Sequence, residues 1–330
     1  MIQVAYHASH EQFAPSELSR YAVLAEQAGF DAIASSDHFH PWSERQGQSG
    51  FSFAWLGAAM QATSIPYSMV CSPGQRYHPA VVAQALATLA EMFPGRFDVA
   101  LGSGEALNEQ ITGEKWPDKE TRNSRLYECA TVIRRLFAGE TVNHKGLVNV
   151  EGAKLYTLPG QTPRLFCAAV SRLTAEWAGS WADGLITVHR PYNELKEVVD
   201  AFRSNGGAGK PVFLKVQLSY AKTAEAALQG AHEQWRTNVF HGTVLGDLPS
   251  PAHYDAASAF IKPEDLKQMI RISSDLRQHA QWLKEDLSLG LDRIILHNVN
   301  REQEPFIRDF AEHVLPELRS FEYAETALSS

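Results

Sequence analysis

Residues 29–42 read GFDAIASSDHFHPW and join a short apolar run to a group of polar and aromatic side chains. The apolar run is too short for a core helix and is typical of a buried strand. Asp37, His38 and Trp42 follow at the point where such a strand would end. A buried strand that delivers reactive side chains at its end indicates an α/β protein whose function lies at the strand ends.

Runs of the same kind recur along the chain and predict eight short buried strands. They read IQVAYHAS, DAIASSDHF, YSMVCSP, RFDVALGSG, RLFCAAV, DGLITVH, PVFLKVQLSY and DRIILHNV. Between them, apolar residues occur at helical spacing, as at Val82, Leu86 and Leu89. Because continuous apolar strands must be covered on both faces, this alternation predicts an α/β fold of the closed, parallel (β/α)8 TIM-barrel type.

Two segments interrupt the alternation and are expected to be insertions. Residues 142–155 include VNHKGLVNV, which has the pattern of a small hairpin. Residues 240–274 form a proline-containing excursion before the last helix and strand. No repeat or low-complexity linker divides the chain, so a single TIM-barrel domain over residues 1–330 is expected.

Composition and charge favour small-molecule chemistry. The formal net charge is −8, and the Lys and Arg residues are scattered, which argues against a nucleic-acid partner. No secretory signal or membrane-spanning stretch is evident, so no membrane partner is expected. Cys71, Cys129 and Cys167 lie far apart in apolar segments, which suits a reducing compartment. The sequence predicts a cytoplasmic protein with a small-molecule substrate.

Polar residues also follow other predicted strands, and in a (β/α)8 barrel the C-terminal strand ends carry the chemistry. They are His7, His10 and Glu11, then Glu105 and Glu109, then His189 and Arg190, and finally His297 and Asn298. Near His38, burial beside a carboxylate can tune the imidazole pKa toward neutrality for proton transfer. His38 and His40 could instead be paired ligands in a metal-dependent hydrolase. Trp42 suits a planar ligand better than a hydrated cation, so no metal site is expected.

Several motifs resemble the luciferase-like oxidoreductase superfamily. They are SDHFHPW, FSFAWLGAAMQAT, QRYHPAVVAQALATLAEMFPGRF, LGSGEALNEQITG, AEWAGSWADGLIT and GLDRIILHN. The likeness spans nearly the whole chain and is greatest to the branch containing deazaflavin-dependent glucose-6-phosphate dehydrogenase. Within that branch it is greatest to flavin oxidoreductases that do not use the deazaflavin. The resemblance implies a barrel enzyme that moves a hydride between a flavin-type ring and a bound substrate.

The resemblance also implies roles for individual residues. His38 would accept the proton of the substrate hydroxyl, Trp42 would lie near the reacting centre, and Glu105 would be the acid beside the cofactor's pyrimidine side. A non-prolyl cis peptide would lie between Met69 and Val70. The implied cofactor contacts are Asp37, Met69, Val70, Ser103, Ala168, Ala169, Val170 and Ser171, and the implied substrate contacts are Glu11, His189, Arg190 and Lys267.

Departures from the family pattern bear on the cofactor. Ala169 and Val170 replace glycines that cradle the cofactor phosphate in the deazaflavin relatives, which hinders close backbone approach. Ser171 and Arg172, at the start of the next helix, suit the single terminal phosphate of FMN. FMN is therefore the expected cofactor, and deazaflavin F420 is the alternative. A flavin-dependent monooxygenase is a further alternative to hydride transfer.

Other departures bear on the substrate and on assembly. Pro191 and Glu304 replace two basic residues of the family's sugar-phosphate clamp, which leaves Lys267. A carboxylate at the clamp would repel a phosphate dianion, so an uncharged alcohol or sugar-like substrate is favoured. Residues 53–63 and the following helix are rich in apolar and small residues, and relatives commonly bury this surface. A homodimer is expected, although these helices could simply cover the barrel.

Overall fold

Eight parallel strands close into a barrel in the computed structural model, which describes residues 2–240 and 242–321. In chain order they are β1 (Gln3–Ala8), β2 (Ala32–Ser35), β3 (Tyr67–Cys71), β4 (Phe97–Leu101), β7 (Leu165–Ala168), β8 (Gly184–Val188), β9 (Val212–Ser219) and β11 (Arg293–Asn298). Each pairs with the next, and β11 pairs with β1 to complete the ring. The predicted (β/α)8 barrel is confirmed.

Helices cover the outside of the barrel between successive strands. The long ones are α1 (Pro15–Gln27), α2 (Ser52–Ala62), α3 (Pro79–Met92), α5 (Lys119–Phe137), α6 (Arg172–Gly179), α7 (Tyr192–Phe202), α8 (Ala224–Trp235), α11 (Leu276–Leu287) and α12 (Gln303–His313). The short ones are α4 (Ala106–Glu109), α9 (Gly242–Asp247), α10 (Pro251–Ala257) and α13 (Leu315–Arg319). In the described part of the chain, none of these helices has the length and hydropathy to span a bilayer.

Side chains of the barrel strands alternate between the interior and the helical layer. The interior cluster consists of Ala5, Ala32, Ala34, Ala100, Phe166, Ile186, Phe213 and Ile295. Alanines on β1, β2 and β4 leave space that the rings of Phe166 and Phe213 occupy, with ring centroids 4.5 Å apart. Residues of opposite parity, such as Tyr6 and Leu214, pack against the helices. The interior is therefore filled at one level and left open toward the C-terminal strand ends.

Both segments that were expected as insertions leave the strand–helix alternation. Residues 142–155 contain β5 (Val142–Lys145) and β6 (Asn149–Ala153), which pair antiparallel. Residues 240–274, apart from His241, contain α9, α10, a 3-10 turn (Pro263–Gln268) and β10 (Arg271–Ile272), which pairs with the end of β9. We call residues 240–274 the excursion.

The excursion is tied to the segment that follows β2. Asp255 accepts a hydrogen bond from Ser43 at 2.7 Å and pairs with the guanidinium of Arg45 at 2.8 Å. The ring of Tyr254 packs edge-on against Trp42, with centroids 5.3 Å apart. These contacts join the excursion to the loop that carries His38.

The peptide bond between Met69 and Val70 is trans, as are all the described peptide bonds, so the cis bond implied by the family resemblance is wrong for this structure. For a non-prolyl bond the trans form is favoured by about 3–4 kcal/mol. The pairing of β3 with β4 continues without interruption through both residues, and a regular ladder needs only trans bonds.

Substitution of Gly184 tests the packing inside the barrel. A Cβ atom at Gly184 would lie 2.3 Å from Cε1 of Phe166, whose ring is held by Phe213. Gly184→Ala is therefore expected to lower the free energy of unfolding by about 1–3 kcal/mol. Urea denaturation measures this loss. Gly160→Ala is the control, because a Cβ atom there meets nothing within 4 Å, and equal stabilities of the two variants would contradict this packing.

Candidate active site

A cavity of about 1800 Å³ opens at the C-terminal ends of the barrel strands. Its walls come from the segments after β2, β4, β7 and β8 and from the excursion. Pockets for a single small ligand usually have volumes of about 300–1,000 Å³. This cavity therefore has room for a large planar cofactor together with a substrate.

His38 lies at the edge of the cavity between two carboxylates. Its Nδ1 atom is 2.7 Å from Oε1 of Glu11, and its Nε2 atom is 3.9 Å from Oε2 of Glu105. Glu11 is fixed in turn, because the hydroxyl groups of Ser9 and Ser36 donate hydrogen bonds to it at 2.7 and 2.6 Å. With Nδ1 engaged by Glu11, the Nε2 atom of His38 is the one available for proton transfer in the cavity.

The two carboxylates differ in their electrostatic surroundings. Burial disfavours protonated His38, but Glu11 and Glu105 outweigh this effect and raise the pKa of His38. Burial also acts to raise the pKa of Glu11, yet the nearby His38 lowers it overall, so Glu11 is the ionised partner. Burial raises the pKa of Glu105, with like-charge repulsion from Glu109 and Glu11 adding to it. Such divergent carboxyl groups are typical of sites for acid–base catalysis.

Trp42 and Asp37 flank this histidine in different ways. The ring of Trp42 stands edge-on to the imidazole of His38, with centroids 4.9 Å apart, and lines the cavity. Asp37 also lines the cavity, but its carboxylate pairs with Arg76 at 2.8 Å and accepts a hydrogen bond from Tyr77. The contacts of Asp37 therefore anchor the loop around His38.

Every residue predicted to contact the cofactor lines the cavity, and all except Asp37 lie on or directly after β3, β4 and β7. These are Met69, Val70, Ser103, Ala168, Ala169, Val170 and Ser171, besides Asp37. Val70 and Ala168 face the barrel interior, whereas the side chain of Met69 packs into the outer core. Ser171 caps α6 by accepting a hydrogen bond from the backbone of Thr174. The wall is apolar at its centre and polar at its margin, as a planar ring with a polar tail requires.

Gly104 allows Glu105 to turn back into the cavity. It has a φ of +82°, which side-chain-bearing residues rarely adopt, and a Cβ atom there would lie 2.9 Å from Cγ of Glu109. Nearby, Ser103 accepts a hydrogen bond from Lys119 at 2.6 Å. Gly104, the second glycine of the GSGEALNE motif, therefore allows a turn in this wall that a residue with a side chain would hinder.

The predicted substrate contacts are placed less uniformly. Glu11, His189 and Arg190 line the cavity. Lys267 does not, because it is exposed on the 3-10 turn of the excursion, and its neighbour Gln268 faces the cavity instead. The excursion does not follow the strand–helix alternation of the barrel, so the position of Lys267 in the sequence did not predict which way its side chain points.

Glu304 lies outside the cavity, contrary to the expectation from the sequence. Glu304 lies on the outer surface of α12, where it pairs with Arg308 at 3.0 Å and Arg20 at 3.5 Å. It is not part of the cavity lining. The repulsion of an anionic substrate that was expected from Glu304 is therefore absent from the site.

His38 and His40 do not converge as metal ligands would. The Nδ1 atom of His40 hydrogen-bonds the backbone carbonyl of Leu107 at 2.8 Å, and His40 does not line the cavity. Within residues 2–240 and 242–321, no group of three or more His, Cys, Asp or Glu side chains is arranged to hold a metal ion. The donor geometry therefore favours proton transfer by His38 over paired ligation.

Sequence reasoning missed Lys215 on β9. Strand alternation places its side chain on the interior face with Phe213, and it lines the cavity. Burial lowers the pKa of Lys215 to about 8, although Glu11 and Glu105 act in the opposite direction. The available signal was a lysine at an inward position within the otherwise apolar run PVFLKVQLSY.

Comparison with known proteins places the chain in a family. The sequence profile of the luciferase-like monooxygenase family matches residues 1–293. This protein belongs to that family and is an oxidoreductase of the luciferase-like type.

Among its relatives are enzymes named F420-dependent glucose-6-phosphate dehydrogenase. The one from Microbacterium testaceum (strain StLB037) is 32% identical over 329 residues, which cover 96% of this chain and 98% of that protein. The one from Amycolatopsis mediterranei (strain U-32) is 32% identical over 332 residues, which cover 97% and 99%.

A solved F420-dependent secondary alcohol dehydrogenase, in complex with an F420–acetone adduct, is also similar. It has a TM-score of 0.89 and 29% identity, over 96% of this chain and 99% of that one. The F420-dependent tetrahydromethanopterin reductase from Methanopyrus kandleri shares the fold, with a TM-score of 0.77 and 18% identity over 97% of this chain and 99% of that one. The FMN expected from the sequence finds no support among these relatives, which are named for F420.

The pairing of Glu11 with His38 makes a prediction for the protein without cofactor. The negative charge of Glu11 favours the imidazolium form, so Glu11→Gln is expected to lower the pKa of His38 below its wild-type value. NMR titration of the histidine ring signals measures this pKa. Glu128→Gln is the control, because Glu128 pairs with His144 instead. An unchanged or raised pKa of His38 in Glu11→Gln would contradict the pairing.

Proposed function

We propose that this protein is an F420-dependent dehydrogenase that oxidises a small polar alcohol, with His38 as the proton acceptor. The observation that carries the proposal is the buried pairing of His38 with Glu11, which leaves the Nε2 atom of His38 available in a cavity large enough for cofactor and substrate. The names of the relatives support F420 over FMN as the cofactor.

The residues of the cavity fit a deazaflavin. Val70, Ala168 and Ile186 give an apolar wall against which a planar tricyclic ring would lie. Ser68 Oγ and Glu105 Oε2 are buried polar atoms that line this cavity and lack a hydrogen-bond partner, as expected where a ligand supplies the partner. Lys119 and Ser171 would meet the anionic tail at the margin, and the exposed turn at Val170 leaves room without glycines.

The proposed chemistry assigns a separate task to each residue. When bound, F420 would take the hydride from the carbinol carbon of the substrate. His38 would accept the hydroxyl proton at Nε2, and the negative charge of Glu11 would stabilise the imidazolium that results. Glu105, whose pKa is raised mainly by burial, is the group suited to donate or share a proton on the cofactor side. Trp42 would limit the orientations that the substrate can take beside His38.

Titration with F420 and with FMN tests this function. We expect tight binding of F420, weak binding of FMN, and loss of the F420 absorbance band when a secondary alcohol is added to the complex. Tight binding of FMN alone would instead support the flavin-dependent alternative. Consumption of oxygen by the reduced FMN complex would point to a monooxygenase.

Substitution of His38 tests the proton-transfer step. A general base typically contributes about 10²- to 10⁴-fold, so His38→Ala is expected to lower kcat by that order while F420 affinity stays within a few fold. Steady-state kinetics and fluorescence titration measure the two quantities. His40→Ala is the matched control and should cost less activity, because His40 bonds to Leu107 outside the cavity. Equal losses, together with inactivation by a chelator, would favour the metal-hydrolase alternative.

A homodimer is part of the proposal. An apolar groove of about 470 Å³ lies between α2 and α3, lined by Phe51, Phe53, Val81 and Met92 among others, and more than half of the Val81 surface is exposed. Val81→Glu would place a charge in the groove and is expected to give monomers by light scattering at micromolar concentration. Phe260→Glu, at an exposed apolar residue outside the groove, should leave the assembly unchanged. A monomeric wild-type protein would show that these helices only cover the barrel.

A further inference from the structure

The floor of the cavity holds a positive charge that the proposed proton transfer does not use. Lys215 projects from the middle of β9 and forms no salt bridge or side-chain hydrogen bond with any residue that the structure describes. Its pKa of about 8, lowered by burial, shows the cost of removing an ammonium group from water. Lys215 is half-buried, and a cation in such a position is stabilised by an anion that approaches it directly.

His7, two strands from Lys215, likewise has no hydrogen-bond partner in the part of the chain that the structure describes. It projects from β1, is only 4% exposed, and both of its ring nitrogens lack a hydrogen bond. The adjacent His297, with ring centroids 4.4 Å apart, bonds instead to Gln12 at 3.0 Å. Burial and the nearby Lys215 lower the pKa of His7, so its ring is neutral at pH 7 and has one N–H to donate. His7 lines the cavity, but both of its ring nitrogens are buried, so of these two residues Lys215 is the one that a ligand can reach.

The strand order places Lys215 across the barrel from the segment that carries His38, whereas His7 lies on β1, next to β2. Going round the barrel, β8 and β9 lie opposite β2 and β3, and His38 follows β2. The titratable groups around Lys215 are His7, Glu11, His38, Glu105 and His297. Of the two carboxylates, Glu11 is already engaged by His38, Ser9 and Ser36.

We propose that Lys215 binds the carboxylate of a 2-hydroxycarboxylate substrate and thereby places its hydroxyl group beside His38. The inference rests on the proposed dehydrogenase function. Lys215 lines the floor of the cavity, and a 2-hydroxycarboxylate carries its carboxylate on the carbinol carbon itself, so it is the simplest alcohol with an anionic group that could reach this lysine. The three N–H donors of an ammonium group suit the oxygens of a carboxylate. Glu11 and Glu105 already favour the charged form of Lys215, and a carboxylate in direct contact with it would favour that form further.

Calorimetry with a matched pair of ligands tests the inference. Lactate and lactamide have nearly the same shape, but only lactate carries a carboxylate. With the wild-type protein, both with and without F420, lactate is expected to bind about 10- to 100-fold more tightly, which is typical of charged hydrogen bonds. Lys215→Met, which keeps the length of the side chain without its charge, should lose this preference.

Lys222→Met is the control and should keep the preference, because Lys222 is exposed and pairs with Asp309. A second measurement needs no variant: at a pH slightly above 8, lactate binding should take up a proton, since the anion favours charged Lys215. Titrations in buffers of different ionisation enthalpy detect this uptake. Equal affinity of the wild-type protein for lactate and lactamide, or a preference that survives in Lys215→Met, would overturn the inference.

The outcomes also separate this inference from the proposed function. Reduction of F420 by neutral secondary alcohols, with no preference for lactate, would support the dehydrogenase and reject the carboxylate site. A lactate preference that depends on Lys215, with no reduction of F420 by any alcohol, would support the site and reject the dehydrogenase. Reduction of F420 by lactate, with a kcat/KM that Lys215→Met lowers more than it lowers that of propan-2-ol, would support both.

Discussion

Side chains that point into a closed barrel share one enclosed space, and this constraint determines where a ligand can bind. The rings of Phe166 and Phe213 fill the level that alanines on β1, β2 and β4 leave open. At the next level toward the C-terminal strand ends, the inward-facing residues include His7 and Lys215, which are polar. The same alternation that closes the core therefore produces a polar floor beneath an open cavity.

The chemistry of the cavity follows from charges that are removed from water together. Glu11 is buried with two serine hydroxyl groups and His38 as its partners, so its charge is compensated locally. The same carboxylate raises the pKa of His38 against the effect of burial. Because opposite charges interact more strongly at low dielectric, Glu11 favours the protonated form of the proposed base even though burial opposes it.

Much of the fold and of the site could be predicted from local sequence. Strand periodicity gave eight strands, and a strand-end position placed His38, Trp42 and Glu105 on the cavity. The excursion could not be predicted in the same way, because its side chains are oriented by long-range contacts, and Lys267 points away from the cavity. Lys215 was overlooked because a single charged residue inside an apolar strand gives no periodic signal.

Two further expectations were carried over from relatives or from single residues: the first is wrong for this structure, and the second finds no support among the relatives. The peptide bond after Met69 is trans within a regular ladder, whatever the family resemblance implied. The preference for FMN depended on Ala169 and Val170 in place of glycines, yet the turn at Val170 is open to solvent. Backbone clearance depends on the shape of the whole turn, which the identity of two residues does not define.

The link between the excursion and the His38 loop has a consequence for how this barrel can change. Asp255 binds both Ser43 and Arg45, and Tyr254 packs on Trp42. The excursion and the loop that carries His38 are therefore packed together as one unit. Replacement of the excursion by the corresponding segment of another barrel would also displace the Trp42 ring beside His38. The shape of the cavity and the position of the proposed base therefore depend on the same contacts, and neither can be exchanged independently of the other.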